Sequence, residues 1–256
     1  NRGSIVTPLK DRIGSQILTH YPEDITTART ITEQETKEAI NAKSNVYVPD
    51  LAKDILEQIS FEARENDFID AKSGVSARLS ITAFENLLST AERRALHNGE
   101  EETSVRLGDF VGIIPSITGK IELVYEGEQE GVSQVAQQLI TDAVNTIFKE
   151  KFPKIEKLTK DGDPDPYAEV VAWFFEENDF ELLDSYTDEE YKNELDRIIP
   201  LQQLIEKYQP ETSKKDGYFL KEVILWALAE NKKLSKFSLG NGLHFKDLYG
   251  SYISGL

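Results

Sequence analysis

The chain contains no cysteine and no methionine in its 256 residues. The first absence excludes disulfide frameworks, thiolate nucleophiles and cysteine-based zinc sites, and it makes the reducing cytoplasm the expected compartment. The second, in a chain that opens on Asn1-Arg2-Gly3, leads us to expect a piece of a longer protein. Positive charge is scarce: 29 Lys and Arg stand against 46 Asp and Glu, a formal net charge of −17. A surface that negative repels phosphate backbones and anionic lipid, so neither nucleic acid nor a membrane is expected as a partner. Long hydrophobic runs are lacking too. The longest, residues 223–229, falls far short of the ~20 residues that span a bilayer, and no signal peptide is visible. What remains is 39% hydrophobic and 29% charged, with 15 Gly and 9 Pro. That is an ordinary folded composition at a length that suits one large domain or two smaller ones, and two are expected.

The apolar periodicity is mainly helical. A strand is expected over residues 15–19. Thr32-Glu33-Gln34-Glu35 fits a capping box, in which hydroxyl and carboxylate satisfy each other's orphan amides, and predicts a helix from Thr32. A second helix follows Val48-Pro49-Asp50, with Leu51, Ile55 and Ile59 on one face. A third carries Ile81, Phe84, Leu88, Ala91 and Ala95 as one stripe. After the polar loop 98–103, a mixed segment over 105–125 should break or kink at Pro115. Glu126-Gly127-Glu128-Gln129-Glu130-Gly131 reads as a solvated linker and marks the expected domain boundary. Beyond it the pattern predicts helices over 135–152, 167–177, 187–208 and 218–234. The third of these opens on a capping box, Thr187-Asp188-Glu189-Glu190, and the last closes on Lys232-Lys233, which suit its negative pole.

Several motifs fail on inspection. Between Gly112 and Gly119-Lys120 six residues intervene and Ile121 follows, whereas a P-loop needs four and then Ser or Thr. Asp161-Gly162-Asp163-Pro164-Asp165 alternates aspartates like a calcium loop, but Pro166 takes the place of the required glycine and Ala172 that of the bidentate glutamate. His20, His97 and His244 lie far apart and lack metal-ligand spacing. No nucleophile elbow or paired-carboxylate signature occurs.

Two arginines stand out. Arg78, in Ser73-Gly74-Val75-Ser76-Ala77-Arg78-Leu79-Ser80, lies where the third helix begins. A cation there opposes the helix dipole unless an anion joins it, so a guanidinium beside orphan amides makes a phosphate site. The alternative is an exposed arginine paired with Asp70 or Glu85. Arg12 sits in a charged turn, Thr7-Pro8-Leu9-Lys10-Asp11-Arg12-Ile13-Gly14, suited to reach a neighbouring subunit's phosphoryl group as an arginine finger. Its alternative is a plain Asp11-Arg12 surface turn.

The stretch Asn1-Arg2-Gly3-Ser4-Ile5-Val6-Thr7-Pro8-Leu9-Lys10-Asp11-Arg12-Ile13-Gly14 resembles the one that follows the sensor-1 strand in the ATPase subunit of magnesium chelatase and its AAA+ relatives, including the MoxR-like group. Gly74-Val75-Ser76-Ala77-Arg78 resembles the same superfamily's sensor-2 motif. The resemblance covers about half the chain. It implies a mainly α fold in three parts: the end of an α/β ATPase core over 1–30, a helical lid over 31–125, and an acidic helical extension over 131–256. It also implies that Arg12 is an arginine finger acting in trans, that Arg78 is the sensor-2 arginine, and that the parent is a homo-oligomeric ring, expected as a hexamer, using ATP and Mg2+. No P-loop or magnesium-holding acidic motif occurs in these residues, so this chain alone is expected to bind neither. The Asp-x-Ser-x-Ser adhesion motif of the family's partner subunit is absent as well. The implied activity couples ATP hydrolysis to metal insertion or to remodelling of a partner. The alternative from another class is a non-enzymatic acidic helical module that recruits a client protein.

Overall fold

The computed structural model describes residues 7–15, 17–43, 45–156, 165–176, 180–239 and 242–247. The described fold is mainly helical, with two small sheets. Its first half contains α1 (Thr7–Lys10), α2 (Ile25–Glu35), α3 (Lys37–Ala42), β1 (Val46–Tyr47), α4 (Asp50–Glu65), α5 (Leu79–His97), β2 (Thr103–Ser104), a 3-10 segment (Leu107–Ile113), α6 (Ile114–Thr118) and α7 (Tyr125–Glu130). Its second half contains α8 (Val132–Lys151), α9 (Ala168–Glu176), β3 (Phe180–Leu183), α10 (Asp188–Asp196), α11 (Ile199–Tyr208), α12 (Lys214–Glu230), β4 (Ser235–Leu239) and β5 (Gly242–Lys246).

The long helices form where the apolar spacing predicts them. In α4 Leu51, Ile55 and Ile59 are buried, joined by Ala52, Leu56 and Ala63. Full burial of a side chain the size of Ile or Leu contributes roughly 1.5–3 kcal/mol, so this face alone commits α4 to the interior. In α5 the stripe from Phe84 through Leu88 and Ala91 to Ala95 is buried as predicted, while Ile81 at its start is half-buried. α12 is buried on every side from Gly217 to Leu225, as befits a helix at the centre of the molecule. It lies against α4, α8, α10 and α11.

Several expectations are corrected. The capping box at Thr32 does not form, because α2 starts seven residues earlier, where the Asp24 carboxylate accepts the Thr27 amide at 2.7 Å. Thr32 instead lies buried near the end of α2, and its carbonyl accepts the Thr36 amide. The break expected after residue 30 therefore falls inside a helix. The strand expected over 15–19 is irregular chain at every described residue, with Ile17 86% and Leu18 84% exposed, and Gln16 lies outside the described residues. The break expected at Pro115 falls just before it, where the 3-10 segment gives way to α6, and Pro115 is the second residue of α6, where its missing amide costs nothing. The helix expected over 187–208 is two, α10 and α11, separated before Pro200. The 131–256 segment is not purely helical: β3, β5 and β4 form an antiparallel sheet in that order, with Phe180 opposite Phe245.

The expected linker at 126–131 is packed. It forms α7 and runs directly into α8. Its glutamates are exposed, but Gly127 is buried so close to the chain that a Cβ there would lie 2.6 Å from the Phe68 carbonyl oxygen. α8 then lies along α4, and one hydrophobic core continues from Val46 to Phe245.

A buried ion pair ties the middle of this fold. Arg94 on α5 donates Nε and Nη2 to the two oxygens of Asp109, at 3.0 and 2.9 Å. Nη1 reaches the Thr103 hydroxyl and Nη2 also the Ser104 carbonyl, which fixes β2 against the helix. Removing one member of such a pair strands the other in a low dielectric, at a cost of about 3–5 kcal/mol. Arg94→Met should therefore destabilise the chain by about that much in urea unfolding, and a loss no larger than the ~1 kcal/mol of a surface pair would reject the assignment.

Candidate functional site

The two arginines singled out by sequence lie on different segments of the chain, which Tyr21 joins nine residues after Arg12. Arg12 is exposed in the turn after α1, where its amide donates to the Leu9 carbonyl at 3.1 Å. Arg78 is exposed at the N-cap of α5, and no side chain caps that helix. Among the described residues neither arginine forms an ion pair: Arg12 sits in the plain Asp11-Arg12 surface turn that was its alternative, while the Asp70 or Glu85 pairing of Arg78 is not made.

The loop before Arg78 is built with some care. Asp70 accepts the Lys72 amide and the Ser73 hydroxyl through its two carboxylate oxygens, a side-chain turn that aspartate favours. The Asp70 amide donates to the Glu122 carbonyl at 2.8 Å, which moors the loop to the 120–123 segment. Gly74 has φ +72°, a region that suits glycine. Above it sits Tyr21, whose hydroxyl donates to the Val75 carbonyl at 2.7 Å and whose ring lies 4.2 Å from the Arg64 guanidinium carbon. Tyr21 thus pins the segment that leads from Arg12 onto the loop that leads to Arg78.

Toward the other end of α5 lies a buried polar centre that the periodicity did not single out. Asp109 accepts, besides Arg94, the Arg106 amide at 2.8 Å. Glu222, buried in α12, accepts the Leu107 amide at 2.7 Å and the Tyr191 hydroxyl at 2.8 Å on one oxygen, Oε2. The Arg106 guanidinium lies 4.4 Å from the centre of the Tyr191 ring. Burial pushes the Glu222 carboxyl up to about 7 against the opposing pull of these hydrogen bonds and of Arg106, and Asp109 adds to the rise. Burial and the Glu222 charge likewise hold the Tyr191 phenol well above its usual range. Both charged partners carry a signal in hindsight. Arg94 follows Ala91 by three positions on the buried stripe of α5, and Lys221-Glu222 interrupts an apolar run. A charge at such a position needs an internal partner.

The weak motifs stay apart. Gly112 and Lys120 flank α6 rather than a phosphate loop. Asp161 to Pro164 lie outside the described residues, while Asp165 pairs with Lys233 at 2.7 Å. His20 and His97 are exposed, and His244 sits on β5 at 3.7 Å from Glu181. No helix among the described residues is long and apolar enough to cross a membrane.

The Glu222 carboxyl makes stability depend on pH. Its folded value near 7 stands above the 4.5 of an unperturbed glutamate, so between those values the folded chain holds more protons than the unfolded one. Stability from this group is full below pH 4.5 and is lost as pH rises through 7, by on the order of 3 kcal/mol. Glu222→Gln keeps a carbonyl oxygen for both donors and removes the ionisation. Its unfolding free energy should exceed that of the unsubstituted chain above pH 7 and converge with it toward pH 4.5. Parallel pH profiles for the two proteins would exclude this role.

No family model, no curated protein and no solved structure matches this chain.

Proposed function

We propose that the chain is the C-terminal part of a magnesium-chelatase-like AAA+ ATPase, a ring that couples ATP hydrolysis to metal insertion or to remodelling of a partner protein. On this reading the chain before α2 closes an α/β core, the helices from α2 through residue 125 form the lid, and the remainder is an acidic extension. Arg12 is the arginine finger, offered in trans to ATP on the neighbouring subunit, and Arg78 is the sensor-2 arginine.

The observation that carries the reading is the setting of Arg78. It is exposed at the start of a 19-residue helix whose first turn no side chain caps, and it has no ion-pair partner among the described residues. In a chain of net charge −17 an unpaired cation beside free helix amides suits the phosphate oxygens of ATP. ATP and its Mg2+ would supply the transferable phosphoryl group and the charge that neutralises it. Arg78 would hold ground-state phosphates, whereas Arg12 would meet the charge that develops on transfer. The P-loop must come from elsewhere in the polypeptide or assembly, so the isolated chain should bind ATP no better than about millimolar.

The test uses the assembly that contains the P-loop. Arg12→Ala should cut turnover by ~10³ or more with ATP affinity nearly intact, because a finger acts on the transition state. Arg78→Ala should weaken affinity and turnover together. Mixing a P-loop-defective subunit that keeps Arg12 with an Arg12→Ala subunit that keeps its P-loop should restore part of the activity each lacks alone. Steady-state hydrolysis across mixing ratios, with subunit exchange verified separately, measures this. Exchange without any recovery would exclude a finger in trans. Small and equal effects of both substitutions would leave the acidic helical module that recruits a client as the better reading.

A further inference from the structure

Arg64 stands in the last turn of α4, half-buried, and forms no ion pair among the described residues. A cation there suits the negative end of the helix dipole, which a lysine would satisfy equally well. Its surroundings ask for more than charge. The guanidinium carbon lies 4.2 Å from the centre of the Tyr21 ring and 5.0 Å from that of Phe61, and Nε is buried without a partner. A flat guanidinium stacks on aromatic faces as an ammonium cannot. Glu57 attracts it without forming an ion pair, so the rings fix its orientation.

Tyr21 is in turn the mooring of its segment. Among the described residues of 13–23 it makes the one hydrogen bond to a distant part of the chain, from its hydroxyl to the Val75 carbonyl at 2.7 Å. The residue is 41% exposed, and Ile17 and Leu18 before it are more exposed still. Apolar burial therefore does little to orient the ring. Arg64 at its face and Val75 at its hydroxyl do so instead. Val75 stands three residues before Arg78, just after the glycine at φ +72°. Between Val75 and α5 the loop's own tie to another segment is the Ser76 amide on the Lys120 carbonyl at 3.4 Å, beyond the usual length of such a bond. The shorter bond, from Tyr21, is the firmer restraint on the approach to Arg78.

We propose that Arg64 is a positioning residue for the Arg12 and Arg78 site: stacked on Tyr21, it holds the hydroxyl against Val75 and so sets where the Arg78 loop stands relative to the arm that carries Arg12. Its consequence for ATP rests on the ATPase reading; the placement itself does not.

Two measurements separate these parts. The chain has no cysteine, so cysteines introduced at the exposed Thr19 and Ala77 carry spin labels without background. In the full chain the distance between the labels should be single and narrow. Arg64→Met, which keeps length but loses the charged plane, should broaden the distribution about twofold, as loss of a local tie does without global unfolding. Arg64→Lys, which keeps the charge in the last turn of α4 but not the plane, should broaden it nearly as much. Tyr21→Phe leaves the stack and removes the hydroxyl, and should broaden it too. Far-ultraviolet circular dichroism checks that each variant folds, and Arg64→Lys and Tyr21→Phe keep the test decisive if Arg64→Met does not. An unchanged distribution in the folded Arg64 variants or in Tyr21→Phe would overturn the proposal. In the assembly that contains the P-loop, a misplaced Arg78 lowers the fraction of sites ready to bind, so Arg64→Met should raise KM for ATP about tenfold while kcat stays within about twofold. A loss of folded sites would instead lower kcat and leave KM alone. The rise in KM should vanish in an Arg78→Ala background, and its absence, or its persistence there, would exclude action through Arg78. If Arg78→Ala itself leaves KM unchanged, the ATPase reading fails and the label distances alone decide the placement.

Discussion

The Asp109 carboxylate is the constraint on which the middle of the structure depends. It is 4% exposed and accepts three donors, two from Arg94 and one from the Arg106 backbone. Each bond fixes a different part: the register of α5, the start of the 3-10 segment, and through Arg94 the short strand β2. Because the 3-10 segment is held there, the Leu107 amide points at Glu222 and the Arg106 side chain reaches Tyr191 and Tyr186. The second half of the chain is thus docked onto the first by polar groups as well as by the shared apolar core. Such a centre adds little net stability over a packed apolar one, but its geometry admits few alternatives.

This centre and the two exposed arginines divide the molecule's chemistry between them. Arg12 and Arg78 present cations unpaired among the described residues to solvent on a strongly acidic protein, where long-range attraction for anions is concentrated at few points. The buried centre keeps its charges from solvent and gives direction to each.

The amphipathic helices were legible because burial enforces a 3.6-residue period, and α4, α5 and α8 obey it closely. The Thr187 capping box was legible for a local reason, both halves of it forming between residues three apart. What escaped depends on distant partners. Thr32 looked like a helix start because its neighbours fit the motif, but Asp24 caps first and leaves Thr32 to the interior. The run of glutamates near Gly127 looked like a linker because their exposure is local, whereas the contact of Gly127 with Phe68 is not. The β3–β5–β4 sheet was invisible for the same reason, since β3 finds its partner across three intervening helices and β4. Both arginines of the candidate site were legible as residue types in a motif. The tie between their segments through Tyr21 was not.

That tie makes residues 21 and 74 a single unit of inheritance. The Tyr21 hydroxyl lies 3.0 Å from where a Cβ on Gly74 would stand, and Gly74 already occupies a backbone conformation that side chains disfavour. Any larger residue at 74 must displace the ring and release Val75, and with it the arm that leads to Arg12. A smaller residue at 21 leaves the glycine without its lid and the arm without its mooring. Drift at either position is therefore felt first in the placement of the arm and in Val75, the member of the hydrophobic core that the tie holds.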